Sequence, residues 1–278
     1  MAHKPHLHFM PVGDTDPFTP NRQRPVRVRA RSLPVDSHFE PHAHAWAQLA
    51  YCATGIVQVT AAQSRDRADQ VTYIVPPSRA VWIAPGALHH ITVLEAAEFR
   101  TLYIEARVTP AGWNGCRVLV VSPLMRESIH ALDGRSLGRA REQLLTDLVL
   151  DELSRADTQS LGVPLPNAQT GDKRLRALCM AVLRAPSKRA TLAEWAEDIG
   201  ASERTVARLF REELGLSYQQ WRQQAILAHA LPLLARGQPV SQVAAANGYA
   251  SDSAFSAMFK AAMGQSPSHF QGKNRLNR

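Results

Sequence analysis

The side chains best suited to chemistry fall into two groups. In the first half, His42 and His44 stand two apart, Gln48 follows, and His89 lies just past a Pro85-Gly86 turn signal. Histidines at i and i+2 of a strand leave the same face. With Gln48 and a histidine from a neighbouring strand they could surround a divalent Fe, Mn, Ni or Zn, because imidazoles with an amide oxygen suit those ions. The same four side chains, His42, His44, Gln48 and His89, could equally line a pocket for an organic ligand. Trp46, Tyr51, Trp82 and Tyr103 sit on nearby apolar runs and either join that cavity or fill the core. The second group is cationic. Arg204, Arg208 and Arg211 share a helix with Ala207, on the side away from Val206, Leu209 and Phe210. Arginine grips guanine edges two-pronged and also grips phosphates. Neither group is expected to be catalytic.

Each group implies a scaffold. Between residues 41 and 108 the chain runs through short apolar segments rich in Val, Ile, Thr and aromatics: 47–53, 55–60, 71–75, 80–83, 91–94 and 101–105. Pro, Gly, Ser and Asp separate them, which predicts a small all-β barrel or sandwich. Residues 138–156 then carry Leu144, Leu145, Leu148, Val149 and Leu153 at helical spacing. Residues 158–171 are uncharged and rich in Pro, Gly and small polar residues, which is linker composition. A new helix opens at Asp172 with Leu175, Leu178, Cys179, Val182 and Leu183.

The charge follows this division. Of the formal net +8, residues 172–278 hold 15 Lys/Arg against 8 Asp/Glu, a net +7. A basic helical part beside a nearly neutral β part points to a polyanion partner for the former. No run of 18 apolar residues is present, so no transmembrane helix is expected. Residues 1–21 are rich in His and Pro, lack the apolar stretch of a signal peptide, and read as a loose arm. Cys52, Cys116 and Cys179 are scattered, which suits neither a disulfide framework nor a zinc finger and suggests the reducing cytoplasm.

The basic part matches itself at an offset of 49. Ser202 pairs with Ser251, Val206 with Phe255, Phe210 with Phe259, Gly215 with Gly264, Ser217 with Ser266 and Trp221 with Phe270. Such a repeat means two copies of one unit. In the first, Thr191 and Glu194 form a capping-box signature, Gly200 breaks the helix, Ser202 caps a second, and Gly215 ends it. In the second, a helix over 240–246 is followed by Asn247-Gly248, then a helix capped by Ser251 and ended by Gly264. Helix, short turn and capped helix make a helix-turn-helix, whose second helix enters the major groove. The outward residues of the second copy are Asp252, Ser253, Ser256, Ala257 and Lys260, with Phe255, Met258 and Phe259 as core. The first copy is thus richer in arginine and is expected to supply most of the base discrimination.

Over residues 172–271 the chain resembles the AraC/XylS family of bacterial transcription regulators. The resemblance rests on Val240-Ser-Gln-Val-Ala-Ala-Ala-Asn-Gly-Tyr249, Phe255, Phe259-Lys260, Gly264, Ser266-Pro267 and Phe270. It implies two helix-turn-helix units joined by a long helix on adjacent major-groove segments. It places Arg204, Ala207 and Arg208 of the first unit, and Asp252, Ser253, Ser256 and Ala257 of the second, at base-reading positions. Ala257 departs from the arginine often found there, and Pro232 falls inside the joining helix, where a kink is expected. Over residues 35–108 the spacing His-x-His-x3-Gln-x6-Gly, then Gly-x-x-His, resembles the cupin motifs. Gln48 stands where cupin metal sites usually have Glu, and Val93 where an Asn often stands.

Together these features predict a flexible arm at residues 1–24 and a cupin-like sensor and dimerisation domain with connector helices at 25–157. A linker at 158–171, a double helix-turn-helix domain at 172–271 and a tail at 272–278 complete the chain. The function expected is that of a cytoplasmic, sequence-specific transcription regulator responding to a small molecule or metal, and not an enzyme. Its partners would be double-stranded DNA, an effector, a second copy held through helices within 124–156, and RNA polymerase if it activates. No membrane is involved. The alternative is a cupin metalloenzyme of dioxygenase type with an accessory DNA-binding domain. A third reading is a chromatin-type binder without sequence preference.

Overall fold

The computed structural model describes residues 8–12, 15–63, 70–77, 79–134, 137–159, 162–166, 170–187 and 191–275. The chain forms two compact units. The first takes in most of residues 1–162 and the second residues 163–278.

The first unit is built on strands β1 (His8–Met10), β2 (Val26–Leu33), β3 (Ser37–His42), β4 (Ala47–Ala62), β5 (Gln70–Val75), β6 (Arg79–Ile83), β7 (His89–Ile104), β8 (Arg117–Val120) and β9 (Thr158–Gln159). One path of pairing runs β1-β3-β7-β4-β6-β8-β9, with β2 also on β7 and β5 also on β4. The expected closed barrel is therefore corrected to an open sheet. The path ends on strands of three and two residues, β1 and β9, and among the described residues nothing joins them. Closure needs a continuous ladder between the end strands, and strands this short do not provide one.

Two of the expected short strands on each side also merge. Segments 47–53 and 55–60 form the sixteen-residue β4, and 91–94 and 101–105 belong to the sixteen-residue β7. Gly55, read from sequence as punctuation, lies within β4 at φ +76°, and a Cβ there would fall 2.2 Å from the Ala96 carbonyl oxygen. The β4–β7 register shifts between Cys52 and Val57. Glycine here marks a bulge and a close backbone approach, not a turn.

The pleat gives this sheet two distinct faces. Ala47, Leu49, Tyr51, Leu102 and Ile104 pack against Met125 and Ile129 of helix α1 (Pro123–Leu132) and Val149 and Leu153 of helix α2 (Arg139–Arg155). Ser122 caps α1 by accepting from the Met125 N–H. Gln48, Thr101 and Tyr103, alternating with those residues, face a cavity on the other side. Residues 8–12 of the expected loose arm are pinned there. β1 pairs in parallel with β3, setting Met10 beside Phe39, and the Val12 carbonyl accepts from Arg29. The first seven residues lie outside the described ones.

The second unit is helical: α3 (Lys173–Arg184), α4 (Leu192–Asp198), α5 (Glu203–Leu214), α6 (Tyr218–Ala235), α7 (Val240–Ala246), α8 (Asp252–Met263) and α9 (Pro267–Arg275). Asp172 caps α3 through the Arg174 and Leu175 N–H groups. Of the stretch 158–171, Val163 is already buried with Leu175, Trp195 and Trp221, and the Trp221 indole N–H donates to the Pro164 carbonyl at 2.7 Å. Helix α6 runs through Pro232, which sits in its last turn. Among the described residues no helix is long and apolar enough to cross a membrane.

The repeat is visible in packing. Phe210 meets Trp221 with ring centroids 5.5 Å apart, and their counterparts Phe259 and Phe270 meet at 5.9 Å. Helices α5 and α8 are both twelve residues long and start 49 apart, at Glu203 and Asp252. The preceding helices start only 48 apart, at Leu192 and Val240, and so do the left-handed glycines Gly200 and Gly248. The second unit's turn therefore holds one more residue than the first.

Candidate functional site

The reading surface of a helix-turn-helix depends on how its second helix is fixed. For α5, Ser202 accepts from the Thr205 N–H at 3.1 Å, and Gly215 closes the other end at φ +67°. The Thr191–Glu194 capping box forms at the start of α4. Val206 and Phe210 are fully buried and Leu209 nearly so, which turns Arg204, Arg208 and Arg211 into solvent and leaves Ala207 half-buried. Arg208 pairs with Glu212 one turn on, Nη1 to Oε2 at 2.5 Å, with both side chains more than half exposed. A pair this exposed is weak and yields readily to a base or a phosphate.

Helix α8 is capped by Ser251 through the Ala254 N–H and closed by Gly264. Phe255 and Phe259 are buried, Met258 is half-buried, and Asp252, Ser253, Ala257 and Lys260 are exposed with Ser256 half-buried. One residue of structural weight escaped the sequence reading. Asn247, in the second turn, is wholly buried. Its amide donates to the Val243 carbonyl at 2.7 Å, and its oxygen lies 3.1 Å from His229 Nδ1 on α6. The residue types Asn-Gly signalled a turn, but only long-range pairing with α6 shows that Asn247 ties the second unit to the joining helix.

In the first unit the structure brings all four expected residues together. His42 ends β3, His89 opens β7, and the two are register partners. His44 follows β3, and Gln48 lies on β4. One ring nitrogen from each of His42, His44 and His89 lies within 4.8 Å of the others. Every Nδ1 meets a backbone carbonyl: His42 with Glu40 at 2.8 Å, His44 with Trp46 at 2.7 Å, and His89 with Ala87 at 3.0 Å. A neutral imidazole has a single N–H. With Nδ1–H donated to a carbonyl, Nε2 of His42 and of His89 keeps its lone pair; His44 meets an oxygen at both ring nitrogens and, when neutral, donates to only one of them. His44 Nε2 lies 2.8 Å from Gln48 Oε1, and buried His89 Nε2 has no hydrogen-bond partner. Burial holds the imidazoles neutral. It lowers the pKa of His42 and His44, and that of His89 to about 3, with the neighbouring His42 adding to the effect. Neutral imidazole is the form that ligates metal. Of the aromatics, Tyr103 lines the adjoining cavity and Trp46 stacks on His44 at 5.0 Å, while Tyr51 and Trp82 belong to the core under the helices.

Residues 26–162 match the AraC-like ligand binding domain family, and residues 195–273 match a helix-turn-helix domain family. The HTH-type transcriptional regulator NimR of Escherichia coli K12 is 33% identical over 251 residues, covering 84% of this chain and 90% of its own. The chain belongs to the AraC-type transcriptional regulators. A second relative, the HTH-type transcriptional regulator RipA of Corynebacterium glutamicum, is 30% identical over 130 residues, 47% of this chain and 37% of RipA. The solved C-terminal domain of AraT, a response regulator from Geobacillus stearothermophilus, is 25% identical over 38% of this chain and 88% of its own, with a TM-score of 0.36. This AraC-type regulator thus carries a ligand-binding unit ahead of a helix-turn-helix DNA-binding unit.

Sequence reasoning passed over two cavity residues, Arg29 and Arg31. Their signal was the alternation Val26-Arg-Val-Arg-Ala-Arg31, which reads as an ordinary half-exposed strand unless its polar face turns inward.

Proposed function

We propose that this AraC-type regulator reads its operator chiefly through α5, with Ser202, Arg204, Ala207, Arg208 and Arg211 at the DNA. Helix α8 makes a second contact through Ser251, Asp252, Ser253, Ser256, Ala257 and Lys260. The observation that carries this is the exposed arginine face of α5, set by a buried Val206–Phe210 stripe and a serine cap. A capped helix start also presents free N–H groups to phosphate. Sequencing genomic fragments captured by the protein tests it. A shared motif supports the reading, and capture without sequence preference refutes it.

The cavity beside His42 and Gln48 is the effector site in this reading, and occupancy shifts the population between DNA-competent and incompetent forms. Two copies pair through α1 and α2, where Leu124 and Leu144 remain exposed at 51% and 71%. The protein works in the cytoplasm as a regulator and not as an enzyme, and contacts RNA polymerase where it activates.

A specific observation favours a metal alongside the effector. Three imidazoles, each oriented by a carbonyl on Nδ1, converge with Gln48, and such outer partners are what fix histidine ligands in metal sites. His42, His44, His89 and Gln48 would hold a divalent ion, which would supply a Lewis-acidic anchor for an oxygen of the effector. Titration with Co(II) tests this: one equivalent giving visible bands supports it, and bands that survive in His89→Ala refute it.

A further inference from the structure

On β2, Arg29 and Arg31 line the cavity. The β2–β7 register sets Arg29 beside Thr101 and Arg31 beside Phe99, while Gln48 of β4 lies beside Tyr103. Arg27 has a carboxylate near it, Glu142 at 3.6 Å. Arg29 and Arg31 have none among the described residues. Both instead donate to one backbone oxygen, that of Val12, Arg29 at 3.0 Å. Their guanidinium carbons lie 5.3 Å from the Phe18 and Phe39 ring centroids respectively. Burial, and the charge of Arg29 beside it, lower the Arg31 pKa. Two adjacent cations therefore share the partial charge of a single carbonyl, in the lining of a cavity also walled by Phe39, Ile91, Phe99 and Tyr103.

We infer that this cavity takes a small carboxylic acid with an apolar or aromatic body, its carboxylate seated on Arg29 and Arg31 in place of the Val12 carbonyl. A carboxylate brings a full charge and two oxygens, which match the two-pronged edge of guanidinium. The aromatic wall suits the body of such a compound and gives nothing to a bare inorganic anion. The free cavity measures about 20 Å³, room for a single water. A larger occupant needs lining groups to move, and the Val12 carbonyl is the one that the carboxylate replaces. This rests on the reading of the cavity as the effector site.

The test uses the full-length protein with benzoate and phenylacetate, their amides benzamide and phenylacetamide, and inorganic phosphate, in calorimetric titrations. At least one acid should bind ten times more tightly than its amide and than phosphate. Arg29→Gln and Arg31→Gln should each weaken the acid at least tenfold, with folding checked by circular dichroism. Arg31→Lys, which keeps the charge and loses the fork, should fall between. The inference is overturned if neither acid binds, if amide or phosphate binds as well, or if the acid survives the Arg29→Gln/Arg31→Gln pair. Affinity for captured genomic DNA separates the two ideas. Arginine-dependent acid binding that leaves DNA affinity unchanged keeps the carboxylate site and sinks the effector reading. Amide binding that changes DNA affinity does the reverse.

Discussion

Replacing Arg208 by alanine separates reading from folding. Among the described residues, the ion pair that Arg208 makes is with the exposed Glu212, at 2.5 Å, with side chains 59% and 55% exposed. Exposed i,i+4 pairs contribute about 0.3–0.5 kcal/mol, and alanine recovers part of that through its helix propensity. Thermal stability should therefore stay within about 0.5 kcal/mol. On DNA, losing an arginine that reads a base costs about 1–3 kcal/mol, which is roughly 5- to 150-fold in Kd. The assay is fluorescence anisotropy at fixed salt, on a captured genomic site and on its single-base variants. Wild type should discriminate at one position where Arg208→Ala does not. If affinity is unchanged, the assignment of α5 is wrong. If affinity falls equally on all sequences and the salt slope drops by about one, Arg208 grips phosphate and positions the helix without reading it.

Three further outcomes follow from the geometry. Gly55→Ala combines a positive φ with a Cβ 2.2 Å from a backbone oxygen and should cost about 3–5 kcal/mol; a loss under about 1 kcal/mol in urea unfolding contradicts the bulge account. Asn247→Ala removes the bond to Val243 and the contact with His229. It should destabilise the second unit by about 2–3 kcal/mol and weaken DNA binding; an unchanged melting curve would show that Asn247 anchors nothing. Leu144→Asp, at an exposed position, should leave the melt within about 0.5 kcal/mol but shift sedimentation from dimer to monomer; an intact dimer places the interface elsewhere.

Local signals carried well from sequence to structure, because caps and stripes are decided by neighbouring residues. The Thr191–Glu194 box, the Ser202 and Ser251 caps and the buried Val206, Phe210, Phe255 and Phe259 all follow from spacing within a few turns. What spacing left out depends on distant partners. Gly55 reads as a turn until Ala96 is known to cross it. The open sheet depends on which edges find each other, which no window of sequence reports. The offset of 48 ahead of the second turn stayed hidden because Trp195 and Val243 share burial but not identity. The four residues His42, His44, Gln48 and His89 were legible as a set. Arg29 and Arg31 were not, since an alternating strand has two faces and the sequence does not say which one water sees.

The pleat of β4 and β7 leaves the cavity beside His42 and the helix-bearing side divided by a partition a single sheet thick. Gln48 and Tyr103 look into the cavity, while their chain neighbours Leu49, Leu102 and Ile104 support α1 and α2. News of an occupant need not travel a relay of side chains across the domain. A tilt of either strand that accommodates a guest on one side is, by rigid geometry, a displacement of the seat under the helices on the other. Mutations that soften this partition, such as Leu102→Ala, should blunt the response while sparing both the guest's own contacts and the DNA-reading helices.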